Sequence, residues 1–279
     1  MGLALETIVG YNGSLTGSTT FDALTASSPG TFTIRSFVDG SNAYLQDVWA
    51  ADTVGPFQLS IKSPRLHDQV KGILLAGTNK YVSTSQVFVP ATLMPGKRVQ
   101  RLYSTDVLSV TANGAASDVF AAAFNIRYEN LGGINARLFS WDALSPHMVN
   151  EVGILTQPVP GATAGTWGAT YVLNSGDNRL KANTDYALLG YTTSRTVLSV
   201  SIQGTDTGNL YLGGPGGPLA EDTAWFFANQ SAFYGLPLIP VVNSNNAGST
   251  TVQIADILTS GTPNVTMIFQ QLDRLMGNP

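Results

Sequence analysis

The sequence predicts an all-β protein built as two tandem sandwiches, and three observations carry that prediction. Short runs rich in β-branched and aromatic residues recur along the chain, separated by clusters of Gly, Asn, Asp, Ser or Pro. Helical periodicity with matching start and stop signals is confined to one segment. Blocks from the first half return in the second at a near-constant spacing. A chain of 279 residues accommodates two domains of ordinary size.

In chain order, the strand candidates begin with TFTIRSF (31–37), whose Phe32 and Ile34 alternate with polar residues, and FQLSIK (57–62), which alternates the same way. QVFVP (86–90), DVLSVT (106–111) and DVFAAAFNIRYE (118–129) follow, the last with Phe, Ile and Tyr at every second position. INARLFSW (134–141), TVLSVSIQ (196–203), LPLIPVV (236–242) and TTVQIADI (250–257) complete the series. The one helix is PLAEDTAWFFANQSAFYG (218–235). Pro218 and two early acids suit its start, and Gly235 suits its stop. The tail NVTMIFQQLDRL reads two ways. Val265, Ile268, Phe269, Leu272 and Leu275 would line a helix, while Val265, Met267 and Phe269 alternate as a strand. The repeat favours a strand from Val265 to about Gln271.

That repeat appears when residues 43–68 are set over 185–209. Tyr44 falls on Tyr186, Ser60-Ile61 on Ser201-Ile202, and Val110 on Val252, all about 142 positions apart. Val119 falls on Val265, and ILLAG (73–77) takes the place of LYLGG (210–214). Two units of about 130 residues, each with about eight short strands, predict two eight-stranded jelly rolls with few short helices. The boundary falls near ENLGGIN, so the first roll spans 1–131 and the second 132–279.

Composition narrows the function. Charged residues make up 11% of the chain, against about 25% in an average soluble protein. With a net charge of −4, no concentrated basic face is expected, and so no specific nucleic-acid binding. The absence of cysteine removes disulfides and thiolate metal sites. The N-terminal MGLALETIVG lacks the basic start of a secretory signal, and no apolar run reaches the roughly 18 residues of a membrane helix.

The stretch GNLYLGGPGGPL (208–219) invites a phosphate-loop reading, which its chemistry refuses. No Lys-Ser/Thr follows the glycines, Leu219 stands where GxGxxG needs glycine, and Pro215 and Pro218 remove amide donors. A turn is expected there instead. The two histidines, His67 and His147, lie far apart and form no HxH pair, so a metal-binding cupin is not supported. Glu221 and Asp222 fit a helix start, and Asp206 with Asn209 in GTDTGN fits a plain turn better than a calcium loop. No catalytic residue and no cofactor are expected.

Trp49, Trp141 and Trp225 fit core positions, whereas Trp167, in a Gly-rich stretch, is the tryptophan expected at a surface facing a neighbouring subunit or a glycan. The one basic cluster is Lys97, Arg98 and Arg101. As a strand it would put Lys97 and Arg101 on one face, and a solvated sheet edge is the plainest role. Contact between subunits, or with anionic lipid or a genome, is the functional alternative.

The duplicated arrangement, the scarcity of helix and charge, and the paired blocks DVFAAAFNIRY and NVTMIFQQL give the chain a resemblance. It resembles the double-jelly-roll major capsid proteins of tailless icosahedral bacteriophages and related viruses, over roughly 30–275. The resemblance is architectural and carries no residue roles. It implies a structural virion protein, assembled in the host cytoplasm, that forms pseudo-hexameric trimers. Those trimers tile an icosahedral shell, often around an internal membrane, beside penton and minor capsid proteins. The alternative is a lectin-like or spike-type carbohydrate-binding sandwich.

Overall fold

The structure, a computed structural model, describes residues 2–28, 31–65, 72–77, 91–92, 99–134, 136–175, 179–218 and 223–277. Its first half holds β1 (Leu3–Asn12), β2 (Asp22–Ala23), β3 (Thr25–Ser28), β4 (Asn42–Asp52), β5 (Phe57–Lys62) and β6 (Ile73–Gly77). It continues through β7 (Ala91–Thr92), β8 (Gln100–Leu102), β9 (Ser109–Asn113) and β10 (Phe120–Glu129). The second half has β11 (Leu138–Phe139), helix α1 (Trp141–Leu144), β12 (Met148–Thr156), β13 (Thr166–Trp167), β14 (Tyr171–Val172), β15 (Asp185–Thr193) and β16 (Val197–Gln203). It ends with β17 (Leu212–Gly216), helix α2 (Phe226–Tyr234), β18 (Ile239–Asn243), β19 (Thr251–Asp256) and β20 (Val265–Leu272). The protein is mostly β-sheet, in four sheets.

The two halves share one strand order. In the first, one sheet contains the path β8–β4–β10–β1 and the other runs β2–β9–β5–β6. In the second, the corresponding paths are β18–β15–β20–β12 and β14–β19–β16–β17. Every pairing is antiparallel, and among the described residues none joins a strand of 3–129 to a strand of 138–272. The register repeats as well. Ile61 pairs with Val110 on β5 and β9, and Ile202 pairs with Val252 on β16 and β19. The repeat is less faithful on the other sheet. Tyr44 lies on the face of Arg127, under its guanidinium at 4.6 Å, whereas Tyr186 is buried edge-on to Phe269.

Alternation explains how the sheets close. On β10, Phe120, Phe124, Ile126 and Tyr128 point into the sandwich. Phe120 meets Phe57 of the opposite sheet edge-on at 4.9 Å, and Phe124 meets Phe32 at 5.5 Å. The intervening Ala121 and Ala123 keep the outer face low, and the second half lies on that face. Glu6 of β1 is fully buried but held by Arg35, through Nε at 2.9 Å and Nη2 at 2.6 Å, and by the Tyr128 hydroxyl.

Several expectations are corrected here. The segment 31–37 forms no strand. A single bridge, Thr33 to Val107, remains, while Phe32 and Ile34 plug the sandwich and Arg35 turns aside to reach Glu6. The strand expected over 134–141 shrinks to Leu138–Phe139, because the Ser140 hydroxyl caps helix α1 and takes Trp141 into it. Within the helix expected over 218–235, of which 219–222 lie outside the described residues, α2 spans Phe226–Tyr234 and stops, as anticipated, at a left-handed Gly235. The tail is a strand, β20, lying between β15 and β12. The turn in the glycine-rich stretch lies only at its start, Gly208–Asn209, and the expected turn over the glycines beyond it is not formed: Leu212–Gly216 is a buried strand, β17, at the edge of its sheet, where Pro215 is tolerated. The strand expected over 86–90 lies outside the described residues.

Candidate functional site

The described residues hold no group of three or more His, Asp or Glu side chains placed to share a metal ion. His147 is tied by Nδ1 to Asp273 at 3.0 Å. The Asp206 carboxylate is fully engaged. It accepts from the Asn243 amide at 3.0 Å and Asn246 Nδ2 at 2.9 Å, and it lies 3.5 Å from Arg137. Arg137 also forks onto Asp185, 2.6 Å from Oδ2. Burial pushes Asp185 up, but Arg137, the Met276 amide and Asn243 outweigh it and hold the carboxyl below its ordinary range.

Lys97, Arg98, His67, Glu221 and Asp222 lie outside the described residues. Arg101 is exposed on β8, opposite Tyr44, with its guanidinium 5.8 Å from the centre of the Tyr103 ring. Trp167 is half-buried. Its ring stacks on Tyr211 at 6.0 Å, and its amide donates to Ser27 Oγ of β3 at 2.8 Å. The structure therefore places Trp167 where the two halves of one chain meet.

That junction is held by hydrogen bonds as well as by packing. It forms where the outer face of β1, β10 and β4 lies on β16, β17 and α2. The Thr7 amide donates to Tyr211 O at 2.6 Å, and the Gly213 amide donates to Thr7 Oγ1 at 2.9 Å. Trp49 Nε1 donates to Leu198 O at 2.7 Å while its indole packs edge-on against Phe226 at 6.0 Å. The Tyr234 hydroxyl of α2 reaches Gln46 O at 3.3 Å.

Glycine permits close packing both inside the second half, at Gly213 and Gly214, and across the junction, at Gly165. A Cβ on Gly214 would stand 2.4 Å from both Phe226 and the Tyr191 hydroxyl, and one on Gly213 would stand 2.9 Å from Ser199 Oγ and Val200 O. Gly165 has φ +73°, and a Cβ there would come within 2.6 Å of Tyr11. The glycine-rich stretch thus serves close approach of sheet to sheet, which no phosphate motif or turn rule describes. Of these junction residues the sequence signalled Trp49 as core and the glycines as backbone geometry. Thr7 gave no signal, because β1 is buried on both faces and hides its alternation.

Two buried carboxyl sites accompany the junction strands. Asp47, on β4 beneath α2, is pushed up to about 7 by burial, with only the Asn125 side chain to offset it. Asp52, at the end of the same strand, is pushed to about 7 by burial, by the charge of Asp118 and by a shared hydrogen bond with it. Asp118 in turn accepts from the amide and hydroxyl of Thr53.

No protein-family profile, curated protein or solved structure matches this chain.

Proposed function

We propose that the chain is a major capsid protein, a structural protein with no active site, whose copies assemble as pseudo-hexameric trimers into an icosahedral shell. In this reading each half is a jelly roll. The first spans 1–131 and the second 132–279, with β1, β2, β4, β5, β6, β8, β9 and β10 as strands B to I of the first. The observation that supports it is the strand order itself. With those letters the sheets read B–I–D–G and C–H–E–F, and the second half gives the same two orders from β12, β14, β15, β16, β17, β18, β19 and β20.

Physical reasons connect that duplication to a shell. Two similar units in one chain let three molecules fill a six-neighbour lattice position, and closed symmetry then needs only a few self-complementary contacts. A surface poor in charge packs against copies of itself with little desolvation cost. The Trp167 ring is stacked on Tyr211 and its amide is bonded to Ser27 of the first half, so it offers a glycan less than a free aromatic would. Other virion proteins and an underlying membrane would be the further partners.

Sedimentation velocity and negative-stain electron microscopy on the full chain test the reading. Trimers of the 29.4 kDa chain, or shells, are the expected species. A strict monomer that retains a saccharide column would overturn it in favour of the carbohydrate-binding alternative.

A further inference from the structure

The duplication lets one half be compared with the other at the corner where β4 runs into β5 and β15 into β16. Both corners close in the same way. The Thr53 amide donates to Val119 O at 3.2 Å, and the Val119 amide donates to Thr53 Oγ1 at 3.1 Å. In the second half the Ser194 amide donates to Asn264 O at 2.9 Å, and the Asn264 amide donates to Ser194 Oγ at 3.0 Å. From Thr53 and Ser194 to Ile61 and Ile202 the two stretches run in step without an insertion. Asp52 therefore corresponds to Thr193 and Val54 to Arg195. On the neighbouring strands the match of Val110 with Val252 sets Gly114 against Asp256.

The shared framework carries different charges. In the second half the buried Asp256 is held by Arg195, through Nε at 3.0 Å and Nη2 at 2.8 Å, and the Thr193 hydroxyl donates to Arg195 O. Anion and cation are both supplied by the chain. In the first half exposed Val54 stands at the position of Arg195. Asp52 replaces Thr193, and Asp118 precedes Val119 where Pro263 precedes Asn264. The second corner closes without these two acids, so the turn itself does not require them.

The acids are short of partners. Both are fully buried, and their carboxyls lie close enough to share a hydrogen bond. Asp118 Oδ1 accepts from the Thr53 amide at 2.9 Å. Asp118 Oδ2 and both oxygens of Asp52 have no hydrogen-bond partner among the described residues, and the Gly55 amide offsets only part of the cost of burying Asp52. No described Lys, Arg or His forms an ion pair with either acid. A further oxygen converges on the same place. A Cβ on Gly114 would stand 3.4 Å from Asp118 Oδ2 and 3.7 Å from Pro56 O, so the glycine leaves room between a carboxylate and a carbonyl. Pro56 and Gly114 also line an open cleft of about 500 Å³, which brings solvent to that side of the corner.

We propose that Asp52 and Asp118 bind a hard divalent cation of the calcium class, which does in the first half what the Arg195 guanidinium does in the second. Two buried carboxylates present two negative charges, and one such ion neutralises both. Every donor at hand is an oxygen, from the two carboxylates and the Pro56 carbonyl, which suits calcium rather than zinc or copper. Calcium also accepts the irregular geometry of a turn, where magnesium demands an octahedron. The site lies inside one half, so the ion ties the β4–β5 corner to the start of β10 whether or not copies assemble.

The test is isothermal titration of the chelator-stripped full chain with calcium chloride, joined to thermal unfolding at pH 8 in chelator and in excess calcium. One ion should bind per chain, and calcium at about a hundred times its Kd should raise the Tm by about 5 °C. Asp52→Asn and Asp118→Asn should each weaken binding tenfold or more. Asp52→Asn should nonetheless melt above wild type in chelator, which a damaged fold would not do. Val54→Arg supplies the missing cation, so it should raise the Tm in chelator and abolish the response to calcium. A wild-type chain that binds no stoichiometric calcium, with its Tm unchanged, would overturn the site. Binding that persists undiminished in both asparagine variants and in Val54→Arg would put the ion elsewhere and overturn it equally.

Discussion

Gly165 sits where a side chain has no room. Its φ of +73° lies in the left-handed region, and a Cβ would come within 2.6 Å of Tyr11 and 2.9 Å of Ala121 in the other half of the chain. Gly165→Ala should therefore cost about 2–4 kcal/mol, from backbone strain and forced separation together. The urea midpoint would fall while the slope of the transition stays unchanged. Trp49→Phe makes a different test at the same junction. It keeps most of the ring but removes the indole N–H that bonds Leu198 O at 2.7 Å, leaving a buried carbonyl unpaired. A loss of about 1–3 kcal/mol is expected by the same measurement. A loss near zero would mean that the indole N–H is not part of what joins the halves.

At the scale of elements, strands whose sequence alternates were legible even where both faces are buried, and strands without that alternation were not. FQLSIK and TTVQIADI alternate and became β5 and β19 within a residue or two. LALETIVGYN, buried along eight consecutive positions, became β1 without any alternation to announce it. MVNEVGILT, the edge strand β12, was missed for the opposite reason, since its half-exposed pattern mixes apolar and polar residues on one face. LGGPG was misread because glycine and proline rules describe local geometry, and here the constraint is tertiary, from Ser199 and Val200 at Gly213 and from Tyr191 and Phe226 at Gly214. Polar residues inside strands were equally silent. Nothing in NAYLQDVWAAD marks Asp47 and Asp52 as buried acids with pKa values near 7.

Those acids give the element its own prediction. Both have folded pKa values above the 3.8 of an ordinary aspartate. Between about pH 4 and pH 7 the folded protein therefore keeps protons that the unfolded chain has released. Stability should decline through that window, by up to ~1.4 kcal/mol per pH unit for each carboxyl, and level off above it. Asp52→Asn removes the repulsion from Asp118 and one of the two protons. Its Tm should exceed the wild-type value at pH 8, match it more closely near pH 4, and vary less with pH between those limits. Parallel Tm profiles for the two proteins would remove Asp52 from the account.

For the whole molecule, the question is whether two repeated halves behave as two folding units. The strand pairings say two, since among the described residues none crosses between the halves. The packing says one. The larger of two apolar clusters runs from Leu3 to Phe269 and takes in both halves, and Leu5, Val9 and Trp49 are buried on the outer face of a sheet that the second half covers. Uncovering three such side chains costs about 5–9 kcal/mol at about 1.5–3 kcal/mol each. That is comparable with the 5–15 kcal/mol by which a typical domain is stable. Unfolding of one half would therefore take the other with it. Calorimetry on the full chain, at a concentration below assembly, should show one transition whose van't Hoff enthalpy equals the calorimetric one. Residues 1–131 produced alone should be insoluble or molten, because their apolar outer face has lost its cover. Two resolved transitions, or a soluble first half with a cooperative melt, would mean that the junction is a loose contact between independent domains. The way the two halves sit on one another would then be one arrangement among several.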